Sequence, residues 1–361
     1  MPDAAYLLLE DGTVYRGKPF GARGTAAGEI VFTTTMAGYL ETLTDPCYTG
    51  QIVIQTFPLA GNYGVIPEDF ESGHMGVNGY IAKNWCQEPS NFRSEGNLDT
   101  FLKSRGVTGL YGIDTRELVK RIRENGVMNG RIQSGEPNAE DLAEIKNFKE
   151  EDPVGRLSVK EAVNYGADGV KATVAMLDFG AGEKTRRELS ARGYGVWVFP
   201  HDACAEEIMK AAPRGVALTG GPGNPEDVRA AIESIKKIAG TGIPIMGFGL
   251  GHQLLAIACG FKVFKLKYGH RGANQPVKDA QSGKVYITTQ NHGYAVVSES
   301  VDEKTATVSY INLNDNTCEG ITYKSIPAAT LQFVPDTEAG PRSFSFLFDK
   351  FKSDMEGFEC R

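Results

Sequence analysis

The sequence predicts an α/β domain with a mainly parallel central sheet, preceded by a β-rich N-terminal domain. Three observations carry this. The chain has 361 residues, more than the roughly 100–200 typical of one domain and enough for two cores. From residue 173 onward, short apolar runs rich in β-branched residues alternate with helical segments, the rhythm of βα units in a parallel sheet covered on both faces. Before residue 133, alternating runs and turn signals dominate instead.

In the first part, residues 6–9 run into the Asp11-Gly12 turn, and 29–34 and 51–55 are alternating or β-rich runs. Residues 118–123, closed by Glu124-Asn125-Gly126, form a helix with a glycine stop. Between about 133 and 170 the composition shifts. Gly135-Glu136-Pro137-Asn138 is followed by charged, weakly apolar sequence and then Gly166-Ala167-Asp168-Gly169, with helical stretches at 140–146 and 160–163. This stretch reads as a connector, and its acidic run 150–152 as solvated linker. The expected division is a first domain over 1–150, a linker over 151–171 and an α/β domain over 172–361.

In the second part, strands are expected at 173–177, 195–199, 216–218 and 244–246, and helices at 183–192, 205–211, 227–239 and 252–258. From Lys262 the pattern changes to shorter strands, ending in a helical segment at 344–352.

Composition narrows the functional classes. Thirty-eight Lys and Arg against 45 Asp and Glu leave a net charge of −7, which argues against sequence-wide affinity for nucleic-acid phosphates. No run approaches the ~18 apolar residues of a membrane helix, and no basic region precedes the short apolar stretch near the N-terminus, so no membrane segment or secretory signal is expected. The cysteines Cys47, Cys86, Cys204, Cys259, Cys318 and Cys360 are scattered without a C-x-x-C pair. They read as reduced thiols of a cytoplasmic protein, with no metal site.

Two glycine clusters follow strands of the expected parallel sheet, where open α/β folds bind ligands. Gly220-Gly221-Pro222-Gly223 permits close backbone approach and presents N–H groups to an anion. Gly247-Phe248-Gly249-Leu250-Gly251 has the outline of a nucleophile elbow, in which the central side chain stands on a strained strand-to-helix turn. The following N–H and the helix dipole would stabilise an oxyanion. Here the central residue is Gly249, which has no nucleophile.

Gly247-Phe248-Gly249-Leu250-Gly251-His252-Gln253 resembles the Gly-x-Cys-x-Gly-His-Gln elbow of class I glutamine amidotransferases. The whole chain resembles the small subunit of carbamoyl phosphate synthetase. The first domain carries the resemblance in Met36-Ala37-Gly38-Tyr39, Leu43-Thr44-Asp45-Pro46, Gly61-Asn62-Tyr63-Gly64, Pro89-Ser90-Asn91-Phe92 and Gly112-Ile113-Asp114-Thr115-Arg116. The second carries it in Asp178-Phe179-Gly180, Gly221-Pro222-Gly223, Gly269-His270-Arg271-Gly272-Ala273-Asn274 and Gln290-Asn291-His292-Gly293.

The resemblance implies a cysteine that attacks the glutamine side-chain amide, a histidine that activates it and a glutamate that orients the histidine. It also implies ammonia transfer to a large subunit, which alone would hold ATP and magnesium; no cofactor is expected in this chain. The sequence departs from that pattern at all three catalytic positions. Gly249 stands at the nucleophile's, Val334 at the histidine's and Asp336 at the glutamate's, and no histidine follows His292. The implied glutamine pocket is kept better: Gly221, Gly223, Leu250, Gln253, Asn291, Gly293 and Tyr294, with Cys47 entering from the first domain where serine is usual. His252 and His292 are expected to organise hydrogen bonds, Cys259 to face the core, and His270 to sit in a loop anchored by Arg271 and Asn274.

The function expected is that of a small-subunit homologue unable to hydrolyse glutamine, acting as scaffold or regulator of an ammonia-using synthetase. The large subunit is the expected partner and glutamine a ligand, with no nucleic acid and no membrane. Two other readings stay open: a stand-alone glutamine-binding module, and a glutaminase with a relocated nucleophile, with Cys47 first in line.

Overall fold

The computed structural model describes residues 4–166, 170, 172–333 and 346–358. The chain forms two compact units, residues 1–151 and 152–361.

The first unit is a closed barrel. Its elements in chain order are β1 (Ala5–Leu9), β2 (Val14–Gly21), β3 (Ala26–Thr33), α1 (Tyr39–Thr44), β4 (Gln51–Gln55), β5 (Leu59–Ala60), β6 (Gly79–Ala82), β7 (Asn84–Trp85), α2 (Leu98–Ser104), β8 (Thr108–Tyr111), α3 (Thr115–Asn125), β9 (Met128–Gln133) and α4 (Ala139–Lys146). The barrel order is β1-β2-β8-β6-β4-β3-β9, while β5 and β7 pair separately. Both faces of its strands are covered. Val31, Val53 and Tyr80 pack with Leu40 and Leu43 of α1 and Leu98 and Leu102 of α2, so the alternate residues Ile30, Ile52, Ile54 and Ile81, all fully buried, fill the barrel. Helix α3 begins where the Asp114 carboxylate accepts the Glu117 N–H at 3.0 Å and ends at Gly126.

The second unit is a three-layer α/β/α domain. Its elements are α5 (Pro153–Leu157), β10 (Val163–Asn164), β11 (Thr173–Leu177), α6 (Glu183–Ala191), β12 (Gly195–Phe199), α7 (Ala205–Lys210), β13 (Gly215–Leu218), α8 (Arg229–Ala239), β14 (Ile245–Phe248), α9 (Leu250–Ala258), β15 (Val263–Asp279), β16 (Val285–Val296), β17 (Ala306–Asn312), β18 (Cys318–Tyr323), β19 (Ala328–Leu331) and α10 (Phe346–Glu356). Among the described residues these strands form one ten-stranded sheet, ordered β10-β12-β11-β13-β14-β19-β18-β16-β15-β17. The run from β12 to β19 is parallel; β10 flanks it antiparallel at one edge, and β18, β16, β15 and β17 extend it antiparallel at the other. Alternation along β11 divides the core. Ala175 and Leu177 pack towards α7, α8 and α9 with Ile208, Ile235 and Leu254, and Val174 and Met176 pack towards α6 and α10 with Leu189, Phe348 and Phe351.

Three expectations are corrected here. Residues 160–163 are not helical: Val163–Asn164 is the edge strand β10, paired with Trp197 and Val198. In the run 150–152, Glu151 and Asp152 are exposed as expected, but two of the three side chains also make specific bonds. Glu150 accepts from Asn78 Nδ2 at 3.3 Å, and Asp152, in the left-handed region at φ 43°, caps α5 by accepting the Gly155 N–H at 2.9 Å. Finally, the segment after Lys262 opens with β15 and β16, of 17 and 12 residues, rather than with short strands. Their pairing shifts register between Lys265 and His270 and again between Gly272 and Gln275, and such irregularities hide the two-residue period that marks a strand.

Replacing Asp114 by Ala is expected to lower stability by about 1 kcal/mol through loss of the α3 cap, measured by urea denaturation followed by circular dichroism. An unchanged midpoint would contradict that role.

Candidate functional site

The glycine clusters meet at the carboxyl edge of the parallel strands. Strand β14 lies between β13 and β19 and passes through Gly249 into α9. Gly249 caps that helix at φ 51° and ψ −113°, a conformation costly for any residue with a Cβ. Its N–H donates to Leu331 O at 2.9 Å, and its carbonyl accepts from Gln253 N at 3.2 Å. The turn therefore has the backbone of an elbow whose tip has no side chain.

The neighbouring glycines exist for a different reason. A Cβ on Gly251 would lie 2.5 Å from Leu218 O, and one on Gly247 would lie 3.1 Å from Thr330 Cγ2 and 3.2 Å from the Gly251 backbone. The start of α9 is thus pressed onto the end of β13, where Gly251 N donates to Thr219 O at 3.0 Å. At Gly249 itself there is room: a Cβ would find Gly220 Cα at 3.4 Å and Gln332 O at 3.8 Å.

The first glycine cluster stands alongside. Thr219 Oγ1 accepts the Phe179 N–H at 2.8 Å, and Ala181 N donates to Gly220 O at 3.1 Å, tying this loop to the Asp178-Phe179-Gly180 turn. A Cβ on Gly221 would come within 2.1 Å of Phe179 O, which explains glycine there.

From α9, Gln253 Nε2 donates to Tyr294 O at 2.9 Å and to Gln332 Oε1 at 3.0 Å. This joins the helix to β16 and to the chain just beyond β19. Asn291, Gly293 and Tyr294 all lie on β16. The structure thus brings Gly249, Leu250 and Gln253 onto one turn, Gly221 and Gly223 onto the neighbouring loop, and Asn291, Gly293 and Tyr294 onto the strand that Gln253 bonds. Cys47 belongs to the first unit, in a 3₁₀ turn where its N–H donates to Asp45 Oδ1 at 2.9 Å. Val334 and Asp336, read as the histidine and glutamate positions, lie outside the described residues.

His252 is fully buried, with Nδ1 2.8 Å from Thr330 Oγ1 and no partner for Nε2. Burial pushes its pKa down to about 3. Cys259 packs against the core, and burial raises its thiol to about 11, so it is a poor nucleophile. His270 is not in a loop: it sits on β15, directly opposite His292 of β16. Burial opposes a charge on His270, but its bonds to Asp315 and Glu319 outweigh that and push its pKa up to about 9. The sequence carried no sign that Glu319 joins these two histidines, because strand pairing alone unites them.

Gly251→Ala is expected to cost several kcal/mol through backbone overlap with Leu218, whereas Gly249→Ala, which meets only strain, is expected to cost about 1–3 kcal/mol. Equal losses in chemical denaturation would contradict the distinction. His252 stays neutral in the folded chain well below the pH at which the unfolded chain protonates it. The stability it confers is therefore complete above about pH 6.5 and is lost as pH falls towards about 3, with a slope of about 1.4 kcal/mol per pH unit. Between about pH 6 and 4.5, the unfolding free energy of His252→Asn should depend less steeply on pH by about that amount; identical slopes would refute the assignment.

Comparison with known proteins shows the family. Residues 7–132 match the family model described as carbamoyl-phosphate synthase small chain, CPSase domain, and residues 175–353 match that of glutamine amidotransferase class-I. The chain is 46% identical over 354 residues to the carbamoyl phosphate synthase small chain of Bacillus thuringiensis subsp. konkukian, covering 98% of this chain and 96% of the relative. It is 45% identical over 355 residues to that of Fusobacterium nucleatum subsp. nucleatum, covering 97% and 98%, and 46% identical over 351 residues to that of Archaeoglobus fulgidus, covering 96% and 97%. Among the described residues no helix is long and apolar enough to cross a membrane. Matched in both of its units and along nearly its whole length, this chain belongs to the carbamoyl phosphate synthase small chain family.

Proposed function

We propose that this small chain binds glutamine without hydrolysing it, and that it supports a large chain that makes carbamoyl phosphate from free ammonia. The observation that carries the reading is Gly249, a glycine in elbow conformation at the head of α9. Amide cleavage through a covalent intermediate needs an atom at this tip to bond the carbonyl carbon. Glycine ends at Cα, so no thioester forms, however well the oxyanion would be held. Val334 supplies no general base, and Asp336, although a carboxylate that could orient a histidine, has none at that position to orient.

Binding is a separate matter from cleavage. In this reading Gly221, Gly223, Leu250, Gln253, Asn291, Gly293 and Tyr294 of the second unit form the backbone-rich walls that hold glutamine. Gln253 spends its amide N–H groups on Tyr294 and Gln332, which leaves its carbonyl oxygen as the acceptor for a ligand N–H.

The test combines this chain with its cognate large chain, ATP and bicarbonate, with glutamine or ammonium as nitrogen source. Ammonium alone is expected to drive carbamoyl phosphate formation, and glutamine to bind by calorimetry with no glutamate released. Glutamine-driven synthesis would overturn the reading. Glutamine binding without any effect on a large chain would favour the stand-alone module. A second test restores the missing chemistry. The Gly249→Cys variant is expected to remain at least about 100-fold less active as a glutaminase than the combined Gly249→Cys, Val334→His, Asp336→Glu variant, because a positioned base contributes about 10²–10⁴ in rate. Equal activity would show that another base is already present.

A further inference from the structure

The antiparallel half of the second sheet buries a cluster that the glutaminase reading does not use. His270 of β15 and His292 of β16 are direct cross-strand partners, with rings edge to face and centroids 4.9 Å apart. Glu319 of β18 reaches both, its Oε1 lying 3.3 Å from His270 Nδ1 and 3.9 Å from His292 Nε2. The three side chains are 8%, 5% and 0% exposed.

The outer bonds decide which ring nitrogens carry lone pairs. His270 Nε2 is 2.8 Å from Asp315 Oδ2, and His292 Nδ1 is 2.8 Å from Tyr294 O. Both partners are acceptors only, so both nitrogens must be N–H donors. In neutral rings this leaves lone pairs on His270 Nδ1 and His292 Nε2, both turned towards a carboxylate. Gln290 adds a further acceptor. Its Nε2 donates to Glu319 Oε2 at 2.9 Å and to Thr288 Oγ1 at 3.1 Å, which sets its Oε1 3.2 Å from His292 Nε2. The Asn312 amide donates to Glu319 Oε1 at 3.2 Å and also lies 3.4 Å from His270 Nδ1, but it does not reach the contact between His292 and Gln290. At His292 Nε2 acceptors face an acceptor, and a proton on His270 relieves only its own contact with Glu319.

A cation relieves all of them together. Tetrahedral zinc, with bonds of ~2.0–2.2 Å, holds its ligand atoms roughly 3.3 Å apart, and the ligand atoms of these three residues already lie within 4.8 Å of one another. The outer bonds from His270 to Asp315 and from His292 to a backbone carbonyl are those that orient metal-binding imidazoles. Two imidazoles and a carboxylate suit zinc and its neighbours better than magnesium or calcium, which prefer oxygen alone.

We propose that His270, His292 and Glu319 bind a divalent transition-metal ion of the zinc class, with Gln290 Oε1 the nearest fourth donor. The ion is structural: it would clamp β15, β16 and β18 and so brace the strand that carries Asn291, Gly293 and Tyr294. The site does not depend on whether glutamine is cleaved.

The test uses the full chain, stripped with a chelator and titrated with zinc chloride. One zinc per chain is expected, with a rise of several degrees in melting temperature, and cobalt chloride is expected to give the visible absorption of a four-coordinate site that EDTA abolishes. Glu319→Gln should lose the cobalt spectrum, and Asp315→Asn should weaken zinc binding about 10–100-fold. The cobalt and melting measurements on the unaltered chain stand even if a variant fails to fold. No metal uptake and no thermal shift would overturn the proposal, as would zinc binding equally strong in a folded Glu319→Gln variant, which would place the ion elsewhere.

Discussion

The second unit is organised by backbone packed on backbone where β14 turns into α9. Gly251 sits so close to Leu218 O that a methyl group would overlap it, and the Gly251 N–H closes the contact through Thr219 O. That closeness seats α9 on the sheet, aims its first turn at the loop 219–224 and forces Gly249 into a left-handed conformation. Gln253, one turn further on, then reaches β16 and the chain after β19. The glycines around the tip are held by packing rather than by chemistry, so the elbow's geometry persists whether or not a nucleophile stands on it.

This separation would let a scaffold of this kind keep its shape whatever residue stands at the tip. The strain of an elbow is borne by one residue, and glycine bears it at least cost because it lacks the Cβ that makes the conformation unfavourable. Under the proposed reading, glycine at this position would remove a steric penalty without requiring any change in the surrounding contacts. The residues of the proposed pocket are placed by different interactions, the Gln253 bridge and the strand pairing of β15 with β16.

Much of the fold was legible in the sequence because it is locally encoded. Residues 173–177 and 195–199 coincide with β11 and β12, since apolar β-branched runs bounded by helical segments have one comfortable arrangement. The elbow was legible for a similar reason: glycines at 247, 249 and 251 between strand and helix have few other uses. What the sequence does not display is non-local. Barrel closure depends on β1 finding β9 across most of the first unit, and no local period announces it. The β15–β16 ribbon was obscured by its register shifts. The grouping of His270, His292 and Glu319 arises only once β15, β16 and β18 are side by side, with no short spacing to betray it.

The central claim is that the elbow has kept its form and lost its reactive atom. The most direct measurement is intact-mass spectrometry after exposure of the chain to an electrophilic glutamine analogue, such as a diazoketone, which alkylates the nucleophile of a competent glutamine site. The account predicts an unmodified mass at concentrations where the analogue occupies the pocket. A stoichiometric adduct that glutamine protects against, mapped to Cys47 or to any other residue, would show that a working nucleophile remains and would contradict it.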